Sequence, residues 1–245
     1  MADAVLCAVA FVAGAINSVA GGGTFLTFPA LIFAGVPPIG ANATNNFAMW
    51  FGTLGSARGY REEVREFRHL LVRASAVSVV GSLCGAVLLL RTPPRIFEHL
   101  IPYLLLFATA LFALSPYLAR PHPERTQHFS AAQLVAQFFS SLYGGYFGAG
   151  QGFMMLAILA FSGLPNLNAM NAVKNVLAVV INGVALVPFV LAGVIRWPQA
   201  VVMAVAALAG GYAGSRLFRR IPPAYSRAFV IALGAGMSAY FLTRA

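Results

Sequence analysis

The sequence predicts an all-α polytopic membrane protein. It is read as two inverted repeats of about five hydrophobic segments each, the second segment of each half short and re-entrant or broken. Three observations predict this. Of 245 residues, 60% are hydrophobic and 9% are charged, against about 25% charged in an ordinary soluble domain. The mean hydropathy is +0.80. Ten apolar stretches follow one another, and two glycine clusters fall at matching places among them.

A bilayer-spanning helix needs about 20 apolar residues. The stretches cover 4–20, 24–35, 44–58, 70–90, 97–118, 130–148, 152–163, 172–195, 198–217 and 224–243. At about 1.5 Å per residue, 24–35 and 152–163 are too short to cross directly. Each follows a glycine cluster and each is the second of a set of five, which points to an internal repeat. "AGGGTFLTFPALIFAGVPPIGANATNN" starts at Ala20 and "AGQGFMMLAILAFSGLPNLNAMNAVKN" at Ala149. Gly21 and Gly23 match Gly150 and Gly152. After a one-residue deletion Gly35, Pro37 and Ala41 match Gly163, Pro165 and Ala169, and Asn46 matches Asn175 once the deletion is recovered. The repeats are 1–119 and 130–245, with 120–129, which opens on "RPHPERTQH", as linker.

Charge gives the orientation. Arg58, Arg61, Arg65 and Arg68 follow the third segment, where the second half has Arg196 alone. Arg216, Arg219 and Arg220 follow the ninth, where the first half has Arg91 and Arg95. The positive-inside rule then places 58–73, 119–128 and 216–223 in the cytoplasm and both termini outside. The net charge of +10 is thereby a matter of topology. A nucleic-acid partner would need a basic soluble domain, and no stretch of this chain reads as one.

A broken helix is tolerated in a bilayer only where protein or a wet cavity satisfies its backbone. Two breaks at matching places predict helix N-termini that face an anion, since such ends carry about half a positive charge. Asn17, Ser18, Thr24, Thr27, Asn42, Thr44, Asn45 and Asn46 surround the first break; Gln151, Asn168, Asn171, Lys174, Asn175 and Asn182 surround the second. "ANATNN" reads as holding the N-cap of the third segment. Lys174 is the only lysine, at the position matching Asn45, and an intramembrane ionisable residue is a functional candidate by default. All six acids, Asp3, Glu62, Glu63, Glu66, Glu98 and Glu124, lie at the terminus or in predicted loops. A core of amides, hydroxyls and one lysine, with no carboxylate, favours an anion over a cation.

The candidate substrate-binding residues are Gly21, Gly22, Gly23, Thr24, Thr44, Asn45, Asn46, Gly150, Gln151, Gly152, Asn171, Lys174 and Asn175. No residue is read as catalytic. A membrane enzyme needs a nucleophile with a base, or a histidine facing a carboxylate, and His69, His99, His122 and His128 lie in or beside predicted loops. Cys7 and Cys84, in apolar segments without CxxC spacing, read as buried structural residues, neither disulfide nor metal ligands. No cofactor and no metal is expected.

"AGAINSVAGGGTFLTFPALIFAGVPPIGANATNN" and its partner "GGYFGAGQGFMMLAILAFSGLPNLNAMNAVKN" resemble the sulfite exporter TauE/SafE family, over essentially the whole chain. The resemblance implies an inner-membrane permease for small sulfur-containing anions such as sulfite, sulfoacetate or related organosulfonates, acting as a secondary carrier. The family's positions fall here on Gly21, Gly22, Gly23, Pro29, Pro37, Ala43, Thr44 and Asn45, then on Gly148, Gly150, Gly152, Pro165, Lys174 and Asn175. Gln151 interrupts the second glycine cluster, and Val173 stands where the first half has Thr44. The partners expected are a small anion and the lipid bilayer, with a homo-oligomer left open. A carrier of another small organic anion, or a non-catalytic subunit of a membrane complex, is the alternative.

Overall fold

The computed structural model describes residues 2–19, 22–59, 61–118, 120, 128–217 and 223–243. Among them are eleven helices and no strand. They are α1 (Ala2–Val19), α2 (Thr24–Phe33), α3 (Pro38–Gly59), α4 (Arg61–Glu66), α5 (Arg68–Arg91), α6 (Pro94–Leu118), α7 (Ala131–Tyr146), α8 (Gln151–Leu159), α9 (Leu167–Leu191), α10 (Trp197–Leu217) and α11 (Pro223–Leu242). Gly21 and linker residues 121–127 lie outside the described residues.

The boundaries have local causes. Pro38, Pro94 and Pro223 open their helices, where a missing N–H costs nothing and φ is already set. Ser130 and Gln133 close a capping box on α7, and the Asn166 side chain caps α9 by accepting from the Ala169 N–H. α2 ends where the Gly35 N–H bonds the Ile32 carbonyl and the Val36 N–H the Leu31 carbonyl, a turn with glycine at its left-handed position. α2 and α8 have ten and nine residues, as short as the sequence predicts. Leu70–Arg91, Pro94–Leu114 and Leu167–Leu191 are long and apolar enough to cross a membrane.

Two expectations are corrected here. "ANATNN" is not a cap: α3 begins at Pro38, so Asn42, Asn45 and Asn46 lie inside the helix. Lys174 and Asn175 likewise lie inside α9. Cys7 and Cys84 are exposed, not buried. The physical reason is that apolar side chains face outward in this chain. Val72, Val80 and Leu88 of α5 are exposed while Ser78 and Ser82 of the same helix are buried, as expected where lipid is the solvent.

The packing crosses the two halves. α10 lies on α1 and α3, whereas α5 lies on α7 and α9; α3 packs on α9 and α6 on α11. Small residues permit the closest approaches. Gly81 and Gly85 of α5 sit against the carbonyls of Phe138 and Leu142 in α7, and Gly210 and Gly214 of α10 against those of Phe11 and Ala15 in α1. A Cβ at any of the four would overlap those backbones. Gly81 and Gly210, like Gly85 and Gly214, are 129 residues apart.

Candidate functional site

The second break is a built turn. The Gly148 N–H bonds the Tyr143 carbonyl at 3.2 Å to end α7. The Tyr143 hydroxyl donates to the Ala149 carbonyl at 2.7 Å. Gly150, at φ +75°, takes the left-handed conformation that favours glycine and starts α8. The first break ends at Gly22, at φ +89°. The amides after each break turn inward. Phe25 and Leu26 donate to the Gly22 and Gly23 carbonyls at 3.0 Å, Gln151 to Gly148 at 3.3 Å and Phe153 to Gly150 at 3.0 Å. Four of the helix-end amides expected to face an anion are thus used within the turns themselves.

Between the breaks lies a cavity of about 40 Å³, room for on the order of three waters. Its wall is Asn17, Thr24, Asn45, Asn46, Met49, Thr53, Phe147, Gly148, Gln151, Gly152, Met155, Lys174, Asn175, Ala178 and Asn182. It therefore gathers seven of the predicted residues: Thr24, Asn45, Asn46, Gln151, Gly152, Lys174 and Asn175. The others stand elsewhere. Gly23 is packed against the Ala13 carbonyl and Met49 Cε, and Gly150 against Ala108 of α6; with Gly22 they shape the turns without entering the wall. Thr44 accepts the Arg196 backbone N–H at 3.0 Å, which ties α3 to the start of α10. Asn171 is buried outside the wall.

Thr53 and Asn182 were not among the predicted binding residues. Helical spacing carries the missing signal: Asn45, Met49 and Thr53 share one face of α3, and Lys174, Ala178 and Asn182 one face of α9. The eight wall residues from these two helices form four pairs, Asn45 with Lys174, Asn46 with Asn175, Met49 with Ala178 and Thr53 with Asn182, each 129 residues apart.

The first pair, Asn45 and Lys174, differs in chemistry. Asn45 is engaged: Thr27 donates to its Oδ1 and its Nδ2 reaches Thr24 Oγ1 at 3.4 Å. Lys174, 2% exposed, has no partner at Nζ. The residues at the same 129-residue spacing differ. Where α2 presents Thr24 and Thr27, α8 presents Phe153 and Leu156, which can accept nothing. Gln151 Nε2 and Asn175 Nδ2 are also buried without partners. Lys174, Gln151 and Asn175, which carry these three unmatched donors, line one cavity, and among the described residues its wall has no carboxylate. Leaving an ammonium buried and unpaired costs several kcal/mol. Phe147, in edge contact with Phe28 at 5.3 Å between centroids, closes the apolar side with Met49 and Met155. Among the described residues no group of three or more His, Cys, Asp or Glu could hold a metal.

Comparison with known proteins places this arrangement. Residues 6–241 match the family described as sulfite exporter TauE/SafE. The chain belongs to the TauE/SafE family. A TauE/SafE chain is expected to have transporters as relatives, and it does. It is 32% identical to "Probable membrane transporter protein YfcA" of Escherichia coli K12, over 97% of this chain and 88% of that one. It is 30% identical to "Probable membrane transporter protein ORF9" of Sinorhizobium sp, over 87% and 82%. It is 29% identical to a "Probable membrane transporter protein" of Haemophilus influenzae, over 87% and 84%. No solved structure matches the chain. This TauE/SafE protein is a multi-pass membrane transporter and not an enzyme.

Proposed function

We propose that this chain is a secondary permease for small sulfur-containing anions such as sulfite, sulfoacetate or other organosulfonates, and that it works by alternating access around the cavity between α3, α8 and α9. The observation that carries the reading is the unpartnered Lys174 ammonium, buried beside the unmatched amides of Gln151 and Asn175 in a wall without an acid. An anion supplies the missing acceptors; a cation would add to the charge already buried. The 129-residue pairing of wall residues and the exchanged packing of α5 and α10 support two halves related by an approximate two-fold axis in the membrane plane, as in carriers built from inverted repeats. The arginine distribution supports an inner-membrane orientation with both termini outside the cytoplasm.

The test is anion flux into proteoliposomes. Lys174→Ala is expected to lower sulfite uptake at least about a hundredfold, in keeping with removal of one member of a buried charge pair. Arg196→Ala, whose side chain is exposed, should leave uptake within about twofold. Equal flux in parent and Lys174→Ala removes the lysine from the mechanism.

A further inference from the structure

The cavity wall holds an unmatched acceptor as well as unmatched donors. Asn46 Oδ1 is buried without a hydrogen-bond partner, and Asn46 lies in the same wall as Gln151, Lys174 and Asn175. A bare dianion satisfies the three donors, leaves one negative charge uncompensated by the single ammonium, and still leaves Asn46 Oδ1 empty. We infer that the site selects an oxyanion with one negative charge and one O–H group, which accepts from the three donors and donates to Asn46. The inference rests on the function proposed above and names the substrate class of that site. For sulfite the selected species is hydrogensulfite, so each anion moved carries its own proton. A proton gradient can then drive transport although the wall offers no carboxylate to relay one.

Among the described residues, Lys174 is the only titratable side chain in the wall. On the helices that line or flank it, Asp3, Cys7 and Arg58 are exposed, and the hydroxyls of Tyr143 and Tyr146 are directed to the Ala149 carbonyl and to Thr92. On α5 and α4, packed against α9, Arg68, Arg73, Cys84, Arg91, Arg65 and Glu66 are exposed; on α6, packed against α8, Arg95, Glu98, His99 and Tyr103 are exposed; and on α10, packed against α1 and α3, Tyr212 and Arg216 are exposed. The pH dependence to be measured is therefore that of the substrate, with a permanently ionised anion reporting any contribution from Lys174.

Hydroxymethanesulfonate and ethanesulfonate separate the possibilities, because both are permanent monoanions of similar size and only the first carries an O–H. Ligand-induced thermal stabilisation of the purified full chain gives their apparent affinities. Hydroxymethanesulfonate is expected to bind at least about tenfold more tightly, the cost of leaving a buried acceptor unmatched. Asn46→Leu should abolish that preference; the comparison in the parent stands even if this variant does not fold. Sulfate should bind more weakly than either. Between about pH 6 and about pH 8, affinity for total sulfite should fall with the hydrogensulfite fraction, approaching tenfold per unit once sulfite predominates, while that for hydroxymethanesulfonate stays level. Equal affinity for the two monoanions, or a preference that survives in Asn46→Leu, overturns the inference and leaves the anion permease standing. Failure of every anion to bind overturns both.

Discussion

At Gly144 the space that a Cβ would fill is taken by the side-chain amide of Gln151. The glycine of α7 thus seats one of the three unmatched donors. Gly144→Ala must displace that amide while leaving α7 a sound helix. Its affinity for methanesulfonate is expected to fall about tenfold, the effect of one lost hydrogen bond to a charged group. Gly236→Ala, where a Cβ meets nothing within 4 Å, should leave affinity unchanged. Equal titrations for Gly144→Ala and the parent would show that Gln151 does not bind the anion. At this scale Lys174 is legible from sequence, because a lone lysine in an apolar run stands out. Its lack of a partner depends on Phe153 and Leu156 replacing threonines on a neighbouring helix, which only the repeat register exposes. Gly23 and Gly150 read as ligand-facing because glycine permits close approach by anything; here the approaching atoms belong to α1, α3 and α6.

At the scale of the element, the tight crossings of α5 on α7 and of α10 on α1 depend on paired glycines. Gly85→Leu and Gly214→Leu force those helices apart against the Leu142 and Ala15 carbonyls. Each is expected to cost about 1–3 kcal/mol or more, read as a lowered thermal midpoint in detergent. An unchanged midpoint in both would mean that the crossings are looser than described. The short α2 and α8 were legible because length alone decides whether a helix can span. The start of α3 was not. A run of asparagines reads as a cap in water-facing sequence, but Pro38 opens the helix earlier and the amides point into the protein. In a chain whose exterior is lipid, a polar run inside a helix marks an inner face.

For the molecule as a whole, the 129-residue spacing was legible in the sequence but the packing was not. Sequence spacing pairs the segments of one half with those of the other; it does not say that the fourth apolar segment of each half, α5 or α10, lies on the other half. α5 on α7 and α9, and α10 on α1 and α3, make the cavity a shared possession: α1, α2 and α3 build one side and α8 and α9 the other. A carrier that alternates must move one such set against the other, and a site divided between them would be remade in each state. The most direct measurement is an experimental structure of the full chain with methanesulfonate bound, its sulfur located by anomalous scattering. The expected result is a sulfonate whose oxygens lie about 3 Å from Lys174 Nζ, Gln151 Nε2 and Asn175 Nδ2. An anion bound elsewhere, with water alone beside Lys174, would contradict the account.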